Sequence, residues 1–283
     1  MRAVVLDGVV LGLALGLLGV GMTLVYGLGG VINLAYGQIV VLGAIVTSLA
    51  MDEGASTVLA AFVGVSAAVG VAVLLDLTLL RPVYRRHGEE RILMGLLLTL
   101  GAAFVLGGLL TWRYPIGALY INISGEPISI IGVPMALGSI WASVIALAVG
   151  AVLLLFFGVT TFGRGVRSVI QDETGSRLVG INPSFVRTVV FALSGALAGI
   201  VAITYSMSGP LTVNAGFELT TFALIVTVVG GLGSVAGAFL AGVLLGVVNA
   251  VSAHYIGQYV TSIILLGAAA LTLLIRPRGL LGR

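Results

Sequence analysis

The sequence has no cysteine and no lysine, and only 8% of its 283 residues are charged. The absence of cysteine excludes disulfides and thiolate-bound metal sites, although it does not identify a compartment. The absence of lysine excludes a Walker-type ATPase, because the phosphate-binding loop G-x-x-x-x-G-K-[ST] requires that residue. The scarcity of charge excludes a soluble globular domain of this length, which would need more charged side chains at its surface.

Apolar residues are abundant, at 59% of the chain, and the mean hydropathy is +1.24. A membrane-spanning helix takes about 20 apolar residues, so the apolar runs predict about eight spans. We therefore expect residues 1–283 to form a single transmembrane domain, an all-α polytopic helical bundle. The 42 glycines lie within the apolar runs, which indicates close helix packing and broken or re-entrant helices.

The thirteen basic residues are all arginine, and most of them fall in three segments, residues 81–91, 164–187 and 276–283. The positive-inside rule predicts that these segments are cytoplasmic. Membrane orientation accounts for the clusters, so we expect no nucleic-acid partner. Arg2 favours an inside N-terminus as well, which would require residues 29–50 to be re-entrant. The first apolar run lacks a clear small-residue cleavage site, so we interpret it as a retained span.

Two glycine-rich interruptions divide the apolar runs. GGVINLAYG begins at Gly29, and the apolar piece after it, residues 37–50, is short for a full span. GGLGSVAG, residues 230–237, is interpreted as a second break at membrane depth, although the alternation of the spans requires it to turn near the cytoplasmic side. One break in each half suggests an internal repeat, and paired interruptions of this kind point to a transport pathway. Outside the membrane, the alternation in YINISGEPISI predicts a small hairpin.

Polar residues at these breaks and within one apolar helix are candidates for a substrate pathway. Side-chain amides, hydroxyls and freed backbone groups at the membrane midplane can line such a path. The same groups can instead satisfy a broken backbone or bond a neighbouring helix, and for Asn249 the interhelical bond is the favoured interpretation. The candidates are Asn33, Tyr36, Gln38, Ser234 and Asn249.

Residues 162–184, FGRGVRSVIQDETGSRLVGINPS, form a polar segment between two long apolar runs. Val166, Val169 and Ile170 recur at helical spacing, and a second apolar cluster precedes the stop at Asn182 and Pro183. The pattern predicts a short helix along the membrane surface, with one face free for a partner.

Four stretches in order resemble the permease subunits of branched-chain amino acid (Liv-type) ABC importers: GMTLVYGLGGVINLAYGQIVVLGA, GRGVRSVIQDETGSRLVGIN, VVGGLGSVAGAFLAGVLLG and RPRGLLGR. The resemblance implies uptake of a small polar solute across a bacterial inner membrane by alternating access. Amino acids are the first expectation, and urea or short amides the alternative.

The resemblance also implies partners. They are a related permease chain, two cytoplasmic ATPase subunits that carry ATP and Mg²⁺, and a soluble solute-binding protein outside, with membrane lipid around the spans. No cofactor or metal is expected on this chain, which would be a transport subunit and not an enzyme.

In permeases of this type the segment matching residues 162–184 is the coupling helix that docks into the ATPase. We expect Arg167, Asp172, Leu178 and Gly180 to make that contact, because an exposed apolar side chain with flanking polar groups gives a weak interface its specificity. The alternative interpretation is a solvated amphipathic loop.

Two departures from the family pattern weaken the transfer of substrate identity. Members of the family usually read INFAHGE where this chain reads INLAYGQ, so Tyr36 and Gln38 replace a histidine and a glutamate. They often carry a lysine where this chain has Phe222. Joint loss of an acid and a base would avoid leaving one buried charge uncompensated.

Two other classes of protein compete with the permease. An intramembrane serine protease is disfavoured, because Ser206 stands where the motif around Ser208 needs glycine and Ser208 falls in an outer loop. A stand-alone secondary transporter or channel would need ionisable groups within the membrane, whereas Asp7, Asp76, Glu218 and His254 all fall near span ends. Such a transporter also has no need for the surface helix in residues 162–184.

Overall fold

A computed structural model describes residues 1–86, 88–115, 118–123, 125–130, 132–276 and 279–281. A π-helical turn, Asp76–Leu80, joins α3 to α4, and a 3₁₀ turn, Val213–Ala215, precedes α10. The helices are α1 (Arg2–Gly29), α2 (Tyr36–Asp52), α3 (Thr57–Leu75), α4 (Arg81–Val83), α5 (Gly88–Arg113), α6 (Leu137–Val159), α7 (Thr161–Gln171), α8 (Glu173–Leu178), α9 (Pro183–Ser208), α10 (Gly216–Gly230), α11 (Val235–Ile256) and α12 (Gln258–Ile275).

Among the described residues, eight helical segments are long and apolar enough to cross a membrane. They confirm the prediction of an all-α polytopic bundle with about eight spans. Local sequence determines where α9 begins. The Asn182 side chain accepts hydrogen bonds from the backbone N–H groups of Ser184 (3.0 Å) and Phe185 (3.3 Å), and Pro183 occupies the first helical position of α9. Both features are typical helix starts.

The first two arginine-rich segments, and the described part of the third (residues 276 and 279–281), lie at one end of the bundle, here called the basic end. Glu173 pairs with Arg91 and Arg187 and so joins the first two segments. The third segment reaches the same end, since the backbone N–H of Leu280 donates to the carbonyl of Val229 (2.9 Å). Val229 lies next to the turn between α10 and α11, and that turn packs on the end of α1. The positive-inside rule identifies this end as cytoplasmic.

The N-terminus lies at the end of the bundle opposite the basic end. The positive-inside rule therefore predicts an outer N-terminus, in disagreement with the inside location that Arg2 favours. The Tyr255 hydroxyl, at the end of α11, lies 3.3 Å from the Met1 sulfur. α1 runs antiparallel to α11. The two backbones approach closely because α1 has glycines at the contact: a Cβ at Gly12 would lie 2.7 Å from the Val243 carbonyl oxygen. A single arginine does not outweigh this packing and the three clusters at the other end.

The first predicted interruption is present. α1 ends at the basic end with Gly30 in the left-handed conformation (φ 62°), and residues 30–35 lead the chain back into the bundle. α2 begins at Tyr36, whose buried side chain packs against Gly21. Gly21 lies eight residues, roughly 12 Å of helix, before the end of α1. α2 therefore starts in the interior and runs only to the outer end.

The second break differs from the prediction. The chain re-enters the bundle after α9, through residues 209–215, and α10 starts at Gly216 against the Gln38 side chain. Residues 230–237 instead form the turn between α10 and α11 at the basic end, where Gly233 lies 3.6 Å from the position of a Cβ on Gly27. Gly231 and Gly233 have positive φ. These glycines serve a tight turn and carry no information about depth.

The bundle contains two halves that have the same order of elements and run in opposite directions, each interrupted by one break. α1–α2–α3 and α9–α10–α11 each consist of a long helix, a re-entering segment, a short helix and a long return helix. α1 packs on α10 and α11, and α9 packs correspondingly on α2 and α3. The internal repeat is therefore real, but the counterpart of residues 29–36 is residues 209–215. The interior ends of α2 and α10 meet between the halves.

The outer surface carries four short strands. β1 (Ala118–Leu119) pairs with β4 (Leu211–Thr212), and β2 (Ile128–Ile130) pairs with β3 (Val133–Met135). The predicted hairpin thus turns at Gly132, with positive φ, and not at Gly125. Residues 120–123 of the predicted hairpin form no strand, and residues 118–119 pair with the loop after α9.

Candidate functional site

The interior ends of α2 and α10 form a hydrogen-bonded seam, defined by residues 34–38 and 216–220. The Gly37 N–H donates to the Thr220 hydroxyl oxygen (3.0 Å), and that hydroxyl donates to the Gly216 carbonyl (2.9 Å). Both short helices present their N-terminal ends here, where the helix dipole is positive. The seam therefore offers a region of positive potential within the bundle.

Gln38 is the polar side chain with spare hydrogen-bonding capacity at the seam. It is 2% exposed, and its Oε1 has no hydrogen-bond partner within the described part of the chain. Its amide packs where glycines leave room, against Gly107 of α5 and Gly216 of α10. A buried acceptor without a partner costs free energy, which is more often tolerated where a group has a function.

Asn33 and Tyr36 lie beside Gln38 at the first break, and both are buried. The Asn33 Oδ1 accepts from the Ala35 N–H (3.1 Å), and the Tyr36 hydroxyl donates to the Ser194 carbonyl (3.4 Å). Their polar groups thus satisfy the broken backbone and tie α2 to α9. Their role in a pathway stays a prediction.

The remaining two pathway candidates lie elsewhere. Ser234 caps α11 at the basic end, where its hydroxyl oxygen accepts from the Gly237 N–H (3.1 Å), so the expectation that it lies at membrane depth is wrong. Asn249 is buried in the outer half of α11, and its Oδ1 has no partner among the described residues. The structure therefore gathers only Asn33, Tyr36 and Gln38 at one break.

A second candidate site is the coupling surface, formed by α7 and α8 at the basic end. Val166 and Val169 are buried and hold α7 against the bundle. The Arg167 guanidinium donates to the Phe157 carbonyl at the end of α6, and Asp172 caps α8 by accepting from the Thr174 N–H (2.9 Å). Arg167 and Asp172 thus shape the segment through contacts within the chain.

The far end of α8 is an exposed apolar tip. Leu178 is 84% exposed and Val179 is 73% exposed. Gly180 follows with φ 86°, and its N–H donates to the Arg177 carbonyl (3.1 Å), which closes the helix. The surface helix that the sequence predicted is therefore two short helices, with an apolar projection at their end.

Glu173 is the functional-site residue that sequence reasoning missed. Its carboxylate pairs with Arg187 of α9, with Arg177 at 2.9 Å and with Arg91 at 3.7 Å. Burial opposes ionisation, but the guanidiniums outweigh it and hold the pKa of Glu173 below its usual range. The spacing to Arg177, i to i+4, was the one signal in the sequence, because the other two arginines come from distant segments.

Comparison with known proteins shows which proteins this chain is similar to. Residues 4–275 match the family described as branched-chain amino acid transport system / permease component. The chain is 29% identical to the high-affinity branched-chain amino acid transport system permease protein BraD of Pseudomonas aeruginosa. It is 27% identical to the corresponding protein LivH of Escherichia coli. Both alignments cover 98% of this chain and 94% of the relative.

Among solved structures, PsaBC from Streptococcus pneumoniae in complex with Fab is similar in fold, with a TM-score of 0.53 and 13% sequence identity. The similarity covers 98% of this chain and 92% of that chain. The full-length matches and the multi-pass bundle agree with the resemblance drawn from four sequence motifs. The chain belongs to the family of branched-chain amino acid transport system permease components.

Proposed function

We propose that the chain is the membrane permease subunit of an ATP-driven importer in a bacterial inner membrane, and that its solute is a branched-chain or other small amino acid. The observation that carries this proposal is the match of residues 4–275 to the permease family. The two inverted halves, each with a short helix that starts in the interior, suit alternating access around a central site.

The solute path passes through the seam between α2 and α10. The two positive helix ends complement the carboxylate of an amino acid, and the Gln38 Oε1 supplies an acceptor for its ammonium group. Apolar neighbours accommodate an aliphatic side chain. Gln38 and Tyr36 are buried in this structure, so it represents a closed state that must open during transport.

Competition for uptake tests the solute. Cells that lack their own permease and carry this chain with its partner subunits would be given labelled leucine, with unlabelled isoleucine, valine or urea in excess. We expect isoleucine and valine to compete and urea to leave uptake unchanged. Absence of leucine uptake, together with uptake of labelled urea by the same cells, would support the alternative urea or short-amide permease.

The coupling surface is the docking site for the ATPase subunits. Leu178 and Val179 offer the exposed apolar contact, and Gly180 sets the direction of the chain behind it. Glu173 fastens this tip to α5 and α9 through Arg91 and Arg187. Movement of a docked ATPase would therefore reach two long membrane helices through one carboxylate.

Co-purification tests the docking proposal. We expect Leu178→Asp to lose the ATPase subunits from the detergent-purified complex, because a charge replaces the apolar contact. Leu178→Met keeps an apolar side chain of similar volume and should retain them. Full retention by Leu178→Asp would overturn the assignment of the tip.

The remaining partners follow from the same proposal. A related permease chain would pack beside this one in the membrane, and a solute-binding protein would dock at the outer end. Long apolar side chains on α3, α5 and α12 are exposed in this chain, among them Phe62, Leu97 and Leu274. They supply surface for lipid and for the second permease. Crosslinking from cysteines introduced on these three helices would identify the face that the second chain covers.

A further inference from the structure

We propose that a cavity at the basic end binds the phosphate headgroup of an anionic membrane lipid. The cavity has a volume of about 390 Å³ and lies between α4 and the first turns of α9. Its lining includes four arginines and three hydroxyl-bearing side chains: Arg81, Arg85, Arg177, Arg187, Tyr84, Ser184 and Thr188. This proposal is independent of the solute and of the docking of an ATPase.

The charge of the lining favours an anion. Within the described residues, Asp76 is the carboxylate that lines the cavity, and one of its oxygens accepts from the Thr188 hydroxyl at 2.6 Å. Arg81 and Arg85 form no ion pair among the described residues. Arginine donates several N–H groups in a plane that matches phosphate, so these two guanidiniums are suited to close on a headgroup.

One wall of the cavity is fixed in place. Arg187 is 3% exposed, and its guanidinium is held by Glu173 and lies 4.4 Å from the centre of the Tyr84 ring. Its Nε has no hydrogen-bond partner in the described structure. Ser184 and Arg187 also belong to the first two turns of α9, where the helix dipole adds positive potential. The cavity therefore combines one arginine held by contacts within the chain with two arginines that no described ion pair engages.

The surroundings favour a lipid over free phosphate. Leu77 and Phe185 are exposed beside the lining residues Asp76 and Ser184. A lipid whose phosphate occupied the cavity could lay its acyl chains along such side chains, whereas free phosphate would gain nothing from them. Basic pockets between membrane helices at the cytoplasmic side are typical headgroup sites. The headgroup would bridge α4, α8 and α9.

The test uses the purified detergent complex and the double variant Arg81→Gln/Arg85→Gln. Phosphatidylglycerol should raise its apparent melting temperature and stay bound in native mass spectrometry, whereas phosphatidylcholine and inorganic phosphate should not. The double variant should weaken the apparent affinity for phosphatidylglycerol about 30-fold, given about fivefold for each arginine near the membrane surface. The matched control, Arg164→Gln/Arg276→Gln, removes two exposed arginines from the same end but outside the cavity.

Several results would overturn the proposal. They are unchanged lipid affinity in the cavity variant, an equal loss in the control, and equal protection by inorganic phosphate. Loss of the ATPase subunits with unchanged lipid binding would assign the cavity to protein docking instead. If the double variant cannot be purified, Arg85→Gln alone, at an exposed position, should still weaken lipid binding severalfold.

Discussion

Glu173 and Arg187 form an ion pair that joins the coupling surface to the first turns of α9. The arginine is buried in a membrane-spanning helix, and the glutamate begins α8 outside the membrane. Because Arg177 and Arg91 share the same carboxylate, one residue connects α8 with two spans. A connection of this kind would serve the coupling role that we propose for this surface.

Replacing Glu173 by Gln should destabilise the chain. The change leaves Arg187 buried without its anionic partner, at a cost of about 2–3 kcal/mol, since Glu173 is partly exposed and the full penalty for a buried pair is larger. A lower apparent melting temperature in detergent would show it. Glu90→Gln is the control, because its pair with Arg86 is exposed on both sides and contributes about 0.5 kcal/mol or less.

The effect of Glu173→Gln should depend on pH. The folded-state pKa of Glu173 is lowered, so the ion pairs stabilise the fold above the ordinary pKa of a glutamate, about 4.3. This contribution is lost as the pH falls through the lowered value. We expect a large difference in melting temperature between the two proteins at pH 7 and a shrinking one below about pH 4. A difference that is constant over this range would contradict the ion-pair account.

The packing of α1 on α11 should tolerate no side chain at Gly12. A Cβ there would lie 2.7 Å from the carbonyl oxygen and 2.8 Å from the Cα of Val243. We expect Gly12→Ala to cost about 1–3 kcal/mol through overpacking and to reduce the yield of folded protein. Gly101→Ala is the control, since no atom of the described residues, apart from the neighbouring backbone of its own helix, lies within 4 Å of its new methyl group. Equal yields and melting temperatures for the two variants would contradict the close approach of these helices.

Gln38→Glu should abolish transport or assembly. Gln38 is buried at the seam, and the glycines that its amide contacts offer no arginine or histidine to pair with a carboxylate. The partial charges of the two helix ends alone would have to offset the burial of a full charge, which we expect to be insufficient. Uptake of labelled leucine and the yield of the complex are the measurements. Gln258→Glu, at an exposed position at the start of α12, should leave both unchanged. Normal uptake by Gln38→Glu would argue that the seam is open to water.

Hydropathy predicts the spans well, and the positions of the arginines predict that they gather at one end of the bundle, because both properties depend directly on the membrane. The sequence also locates the break before Tyr36, where Asn33 and adjacent glycines interrupt an apolar run. The second re-entering segment, residues 209–215, was not predicted, because Pro210 and Asn214 are typical of an ordinary outer loop. The glycines of residues 230–237 were interpreted as the interruption instead. Composition distinguishes a turn from a re-entering segment only when the depth of the neighbouring helices is known.

The candidate sites were predicted less completely. The sequence predicts the exposure of Leu178, because an apolar residue in a polar loop is visible there, and its contact with an ATPase stays a prediction. Glu173 was not singled out, because Arg91 and Arg187 reach it from separate segments. Arg167 and Asp172 were predicted to contact a partner, and the structure adds hydrogen bonds within the chain that the sequence did not indicate. Charge placement along a sequence does not tell which charges the fold uses internally.

The most direct test of the central claim is the energy source of uptake. The chain would be reconstituted with its partner permease, ATPase subunits and binding protein in proteoliposomes, and accumulation of labelled leucine would be measured with ATP inside and with all ion gradients collapsed by ionophores. We predict uptake that requires ATP and persists without ion gradients. Uptake that stops with the gradients and proceeds without ATP would contradict the account and identify a secondary transporter.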